Sequence, residues 1–427
     1  MIKNIFTNFS SRFGVAVFNF IMLLMITHQL GKDIYGQISI IALNISIIHL
    51  ISDLASGPSL VYLTPRAKLS SLLFNGSTWS IFNAVGIGSL LVYTGIFPKA
   101  YSVELLVIGV LISLHSLNQN LLLGQQKIKA YNLLFLMQGA LQLLTMCLCI
   151  FFYKLSTDVY PYIYACIISN SIAYIVGLIL VHKNRPPQQI EESKSILFLL
   201  FKNGFFTQAA SLFLVFSKTI SFNSLQTNLP NGTGAIGIFN SAFSLGATLM
   251  LFGASVSSIV LAKVANEKNH TATRATVFQL SKLSFAITLL GVGFFLLVPA
   301  NFYSWLLGKD FLPVKNIFIS MAPGILFLSL GTVFSHYFSG AGKHYMNFIC
   351  GGITLLVTYL TTDILIRKYG IAGAGLSTSV TFITLTFCIF IAFIFSDGNK
   401  KGDWKQLFPS KADFITLQEK FKFKNKV

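Results

Sequence analysis

Apolar runs of about twenty residues recur along this chain, each long enough to cross roughly 30 Å of hydrocarbon as an α-helix. Twelve are readable, at 9–30, 35–57, 73–96, 102–123, 131–153, 159–181, 203–225, 235–261, 276–299, 314–338, 345–366 and 371–395. They are continuous rather than alternating, which excludes a β-barrel. Composition agrees: 54% of residues are hydrophobic and 10% charged, against about a quarter charged in soluble domains. The expected fold class is an all-α polytopic membrane protein with twelve transmembrane helices. The opening MIKNIFTNFSSRFG starts like a signal peptide, but a long apolar run and no convincing small-residue cleavage site make it the first helix.

A net charge of +18 raises the question of nucleic acid, and the charge distribution answers it. Of 31 Lys and Arg, twenty fall at one set of alternate loops and the two ends. Seven fall at the opposite loops: Lys32, Lys99, Lys154, Lys309, Lys315, Arg367 and Lys368. Four lie inside or at the mouths of spans: Arg12, Lys202, Lys218 and Lys282. Short Lys/Arg-rich loops stay in the cytoplasm, so both termini are expected there, with Arg367 and Lys368 the exception. The pattern is that of a membrane protein, with no nucleic-acid partner. The five cysteines (147, 149, 166, 350 and 388) sit in apolar runs without a CxxC and read as packing residues. His28, His115 and His336 lack ligand-like spacing, so no metal and no cofactor are expected.

The chain also repeats itself. GQQKIKAYN (Gly124–Asn132) returns as GAGKHYMN (Gly340–Asn347), YGQISIIALN (Tyr35–Asn44) as IGIFNSAFSL (Ile236–Leu245), and PKAYSV (Pro98–Val103) as GKDFLPV (Gly308–Val314). Order and spacing are kept, as in a duplicated six-helix unit. Six crossings return each copy to its starting side, so the copies share an orientation, and such repeats place a substrate site between them. The expected organisation is a bundle over 1–182, a cytoplasmic linker at 183–202, a second bundle over 203–396 and a basic cytoplasmic tail at 397–427.

Several spans carry polar lines at spacings of three and four, which places each set on one helix face. The first carries Asn8, Arg12 and Asn19, and the seventh Gln208, Ser211 and Lys218. The second repeats Ser39, Ala42, Ser46, His49, Asp53 and Ser56; the eighth answers with Asn240, Ser244, Ala247 and Ser258; the fifth adds Gln138, Gln142 and Thr145. An Arg or Lys deep in a bilayer costs at least about 2.5–3.5 kcal/mol and normally faces a wet cavity or a partner. Arg12, one turn in, could instead reach the interface along its stem. His49 and Asp53 lie one turn apart and could titrate as a proton-coupling pair, or serve as a helix–helix hydrogen bond. Fixed cations with almost no carboxylates attract anions and repel cationic drugs. Asn, Gln and Ser around them suit hydroxyl-rich sugars.

LGKDIYG (Leu30–Gly36), the Asp-Leu of ISDLASG (Ile51–Gly57), LLGKDFLPV (Leu306–Val314) and KYGIAGAGLST (Lys368–Thr378) resemble the signposts of bacterial O-antigen and capsule repeat-unit flippases. These belong to the multidrug/oligosaccharidyl-lipid/polysaccharide (MOP) exporter superfamily, and the likeness runs along essentially the whole chain. It implies two pseudo-symmetric six-helix bundles in a MATE-like arrangement, with spans 1, 2, 7 and 8 around a central cavity. The implied activity is flipping of undecaprenyl-diphosphate-linked oligosaccharide from the inner to the outer leaflet of the bacterial cytoplasmic membrane. Arg12 fits a diphosphate-binding role by position. His28 and Lys218 depart from the pattern, because many relatives carry Arg and Asp respectively near these places.

The rival readings lack their residues. A membrane polymerase or glycosyltransferase needs a sizeable outer loop or clustered acids, so the chain is not expected to be an enzyme. A drug antiporter wants acids in the cavity, and a lipid II flippase usually has two further helices. The tail holds eight Lys and four acids, with Phe414, Leu417 and Phe421 on one prospective helix face. It is expected to touch anionic lipid, while polysaccharide polymerase and assembly proteins are a further partner class left open.

Overall fold

The computed structural model describes residues 2–95, 97–152, 158–183, 196–266 and 270–396. Most of the linker and the whole tail, including Phe414, Leu417 and Phe421, lie outside the described residues. The first half of the chain forms α1 (Ile2–Gln29), α2 (Gly31–Ser56), α3 (Pro58–Leu63), α4 (Leu69–Phe82), α5 (Gly88–Tyr93), α6 (Ser102–Gly124), α7 (Ile128–Cys147) and α8 (Tyr160–Lys183). The second forms α9 (Ile196–Asn228), α10 (Gly232–Asn266), α11 (His270–Leu297), α12 (Ala300–Leu307), α13 (Val314–Gly340), α14 (His344–Tyr369) and α15 (Ile371–Phe395). No strand occurs among the described residues.

Among the described residues, eleven helices are long and apolar enough to span a membrane. The remaining expected span, 73–96, is helical from α4 through a π turn (Asn83–Ile87) into α5. Asn75, Ser77, Thr78, Ser80 and Asn83 dilute its apolar character. The π turn begins where the buried Asn83 amide donates to the Ile48 carbonyl (2.8 Å) and to Ser52 Oγ of α2. Single π turns often mark such side-chain-anchored places.

Local breaks follow backbone chemistry. Gly31 (φ 78°) opens α2 directly after the end of α1, and Gly370 (φ 59°) separates α14 from α15, both in the left-handed region that glycine enters without penalty. Pro58 opens α3, where its missing N–H costs nothing.

The repeats recur as backbone. After α6, the amides of Gln125, Gln126 and Lys127 donate to Leu121, Leu123 and Leu122. After α13, those of Ala341, Gly342 and Lys343 donate to Tyr337, Ser339 and Phe338, the same pattern shifted by 216 residues (343 − 127). Gln126 (φ 58°) and Gly342 (φ 72°) hold the equivalent left-handed position. Lys99–Tyr101 and Lys309–Phe311, the third echo, are both 3-10 turns.

Packing divides the chain into two compact units, Met1–Ser241 with Ala300–Val314, and Ala242–Pro299 with Lys315–Val427. This partition does not follow the linker, because α9 and the first part of α10 pack with the N-terminal helices. Gly204 of α9 allows this: a Cβ there would lie 2.4 Å from the Leu54 carbonyl oxygen. The first unit is filled by Leu60, Leu72, Leu117, Leu121, Leu134 and Leu200, all essentially inaccessible.

The second unit centres on Phe278, Phe334, Tyr337 and Phe393. Buried Arg274 donates to the Phe393 carbonyl (3.1 Å) and to Ser396 Oγ (3.2 Å), capping α15. Pro323 interrupts α13, and beside it Ser379 Oγ of α15 accepts from the Gly324 amide (3.1 Å) while donating to the Ser320 carbonyl (2.6 Å). A hydroxyl from the neighbouring helix thus stands between two groups that would normally bond each other within the helix. Along α14, Thr358 and Thr362 reach Thr381 (2.8 Å) and Ser377 (2.6 Å) of α15.

Candidate functional site

α2, α9 and α10 converge within the first unit, and glycine sets their approach. A Cβ on Gly36 would lie 1.9 Å from the Thr233 oxygen; one on Gly237 would lie 2.1 Å from the Lys32 oxygen. Small residues permit such backbone proximity between membrane helices. The geometry is reciprocal, since each glycine meets the carbonyl four residues before the other. Gly36 and Gly237 are the same position of the Tyr35–Asn44 and Ile236–Leu245 echo, so duplicated residues meet at the crossing.

One turn further, the echo supplies the polar centre. Lys218 of α9, half-buried, donates from Nζ to Asn240 Oδ1 (2.8 Å). The Asn240 amide donates to Tyr35 Oη (3.0 Å) and to Ser39 Oγ (2.9 Å), its counterpart in the repeat. The ammonium also lies 5.3 Å from the centre of the Phe222 ring, within cation–π range. A charge-assisted bond and a ring face offset the desolvation of a cation placed among helices. The site presents an ammonium, a carboxamide, a phenol and a hydroxyl together, a donor-rich set suited to phosphate or sugar oxygens.

Other candidates distribute differently. Arg12 and Asn19 are both exposed on α1, seven residues apart and so on one face. The Asn8 side chain lies outside the described residues. Gln138 donates to Gln142 (3.2 Å), which donates to Cys166 Sγ (3.4 Å), linking α7 to α8. Ser211 bonds the Thr207 carbonyl of its own helix (3.3 Å). Ser39, Ser46 and Ser56 on α2 likewise donate to carbonyls four residues back, so much of that stripe satisfies itself. The side chain of Ser258 is not described.

Asp53, buried, and His49, half-buried, form a second polar cluster on α2, with Gln208 of α9 near by at the Gly57 bend. Asp53 Oδ1 accepts from Ser116 Oγ (3.2 Å), and Oδ2 lies 3.8 Å from His49 Nε2. Gln208 is buried with its amide against the Gly57 bend. His115 of α6 is buried within electrostatic reach of His49. Among the described residues, Nδ1 of both His49 and His115 has no hydrogen-bond partner. Sequence spacing had no signal for His115, because it joins the cluster from another helix. No metal-ligating group of three or more His, Cys, Asp or Glu exists among the described residues.

No protein-family model and no curated protein sequence matches the chain. Solved structures do. An inward-facing MATE-family multidrug resistance transporter of the MOP superfamily superposes with a TM-score of 0.68 at 15% identity, covering 88% of this chain and 93% of that one. The lipid II flippase MurJ, in an inward closed conformation, gives 0.67 at 16% identity, covering 97% and 92%. An outward-facing MATE structure gives 0.64 at 13% identity, covering 92% and 94%. The chain is a multi-pass α-helical membrane protein with the fold shared by MATE transporters and MurJ.

Proposed function

We propose that this chain is a flippase for undecaprenyl-diphosphate-linked oligosaccharide, carrying repeat units from the inner to the outer leaflet of the bacterial cytoplasmic membrane. The glycan then enters O-antigen, capsule or exopolysaccharide synthesis. The observation that carries this reading is the Lys218–Asn240–Tyr35–Ser39 set, a donor-rich centre built where duplicated helices cross. Asp53 is the one carboxylate buried within the described spans, so the balance favours an anionic cargo. Lys218 and Arg12 attract the diphosphate; Asn19, Gln138, Gln142, Asn240 and their neighbours meet sugar hydroxyls; the polyprenyl tail stays in lipid. Alternating access of the copies 1–182 and 203–396 moves the cargo, and both termini are cytoplasmic. Asp53 and His49 are the candidate proton carriers for coupling.

The test is complementation of a strain that accumulates lipid-linked oligosaccharide. Lys218→Ala and Arg12→Ala should each lower surface glycan at normal protein levels. Full display from both variants would overturn the reading. One observation favours a different member of the same fold, a cation–drug antiporter: Asp53 is a buried acid in contact with Ser116. Efflux of cationic dyes abolished by Asp53→Asn, with glycan display intact, would select that alternative.

A further inference from the structure

Where α6 and α8 begin, the first unit carries a tyrosine ladder that the site around Lys218 does not use. The ring of Tyr101, in the 3-10 turn before α6, meets that of Tyr160, the first residue of α8, nearly edge-on with centroids 6.1 Å apart. Tyr164, one turn along α8, follows at 5.8 Å from Tyr160 with a tilt of 30°, and is exposed. Two carboxylates, Glu104 and Asp158, stand within electrostatic reach of the Tyr101 phenol. The Val159 amide donates to Asp158 Oδ1 (2.6 Å). Among the described residues, Asp158 Oδ2, the Glu104 carboxylate and the three phenol hydroxyls have no hydrogen-bond partner.

Tyrosines at the ends of spans commonly anchor a helix in the membrane interface, but anchoring has no use for two carboxylates. Nor does the fold demand the set. At the same places in the second copy stand buried Phe311, in the matching 3-10 turn, Lys315, one residue after the shared valine, and Ile371, the first residue of α15. Tyr101, Glu104 and Tyr160 thus depart together from their copies, although the turn between α6 and α7 is kept. What they share is the chemistry of sugar recognition. The negative face of an aromatic ring accepts the polarised C–H edge of a pyranose. A carboxylate accepts charge-assisted bonds from hydroxyls, and phenols both donate and accept. Two acids with no cation between them repel a phosphate.

We propose that Tyr101, Tyr160 and Tyr164, with Glu104 and Asp158, form an outer platform that binds the sugar rings of the oligosaccharide after translocation. Tyr160 and Tyr164 stack on the rings, while Glu104 and Asp158 Oδ2 accept from sugar hydroxyls. The platform rests on the translocase reading and on the orientation that puts the lysine-rich loops in the cytoplasm, which makes the starts of α6 and α8 the outer ends. A glycan whose lipid lies in the outer leaflet keeps its first sugars at that height. Tethering to the same membrane holds it at a roughly millimolar effective concentration, so weak stacking suffices. The platform adds a product site apart from the cation centre at Lys218.

Saturation-transfer NMR on the full-length protein in lipid nanodiscs tests it. The probe is the host strain's repeat-unit oligosaccharide, released from its lipid and freed of phosphate by mild acid. The native chain should bind it, and Tyr160→Ala/Tyr164→Ala and Glu104→Gln/Asp158→Asn should each cut the transfer signal at least fivefold. Tyr160→Phe/Tyr164→Phe, which keeps the rings, should retain at least half of it. The Glu104→Gln/Asp158→Asn pair is isosteric and keeps the test readable where removal of the rings lowers the yield of folded protein. No signal from the native chain would overturn the platform. Equal signals from the tyrosine and acid variants would do so too, leaving the tyrosines as interfacial anchors only. Signal lost in Lys218→Ala but kept in those variants would place the sugar at the cation centre, overturning the platform and leaving the flippase reading intact. Platform binding in a protein whose Lys218→Ala and Arg12→Ala variants export normally would do the reverse.

Discussion

The glycine crossing yields a quantitative prediction about stability. Real Cβ contacts stop near 3.0 Å, so Gly237→Ala requires 3.0 − 2.1 = 0.9 Å of movement and Gly36→Ala requires 3.0 − 1.9 = 1.1 Å. In both cases the obstacle is backbone, which cannot rotate away. Overpacking of this kind costs about 1–3 kcal/mol, and alanine's better helix propensity returns about 0.5–1 kcal/mol. Bonds lost at Asn240 add about 0.5–1.5 kcal/mol each. With both Asn240 bonds lost, each single variant should therefore lose about 1–5 kcal/mol. Because one parting accommodates both methyls, the double variant should lose less than the sum by about 1 kcal/mol or more. Gly293→Ala is the control: a Cβ there meets nothing within 4 Å, so it should hold or gain stability. Reversible unfolding in mixed micelles, read by circular dichroism, measures all four variants. Crossing variants that behave like Gly293→Ala, or that add without coupling, would refute the close-approach argument.

The duplicated turn makes opposite predictions at equivalent positions. Gln126→Gly should stabilise by about 1 kcal/mol because the site is left-handed, and Gly342→Ala should destabilise by a similar amount; thermal shifts of purified protein check both. Ser379→Ala removes the hydroxyl between the Gly324 amide and the Ser320 carbonyl and should cost about 1–3 kcal/mol. Ser379→Thr should recover part of that loss in the same unfolding assay. Burial pushes the Tyr303 phenol up from 10.0 to about 12, so folding favours its neutral form. That contribution is complete below pH 10 and is lost as pH rises toward 12. Stability of the native chain should fall across this window more steeply than that of Tyr303→Phe.

Several parts of this architecture were legible without coordinates. Continuous apolar runs located the spans, because lipid accepts little else than a helix of sufficient length. The Gly124/Gly340 echo pointed to a turn used twice, and both copies close with the same three hydrogen bonds. Lys218 stood out because an ammonium in such a run demands a partner. Other features needed the packed chain. Helical spacing tells which residues share a face but not which helix lies opposite it. Nothing in the sequence paired Asn240 with Ser39 and Tyr35, or brought His115 beside His49 across 66 residues (115 − 49). The serine stripe of α2 read as cavity lining, yet much of it serves its own carbonyls.

What the amino-acid order determined was where the membrane-length helices lie and which stretches repeat, since solvation and backbone chemistry act within a few residues. What tertiary structure decided was which copies touch: glycines 201 positions apart (237 − 36) meet carbonyl to carbon, and the packing units ignore the linker. Contacts at that separation depend on the shape of facing helix surfaces, which no local pattern of residues contains.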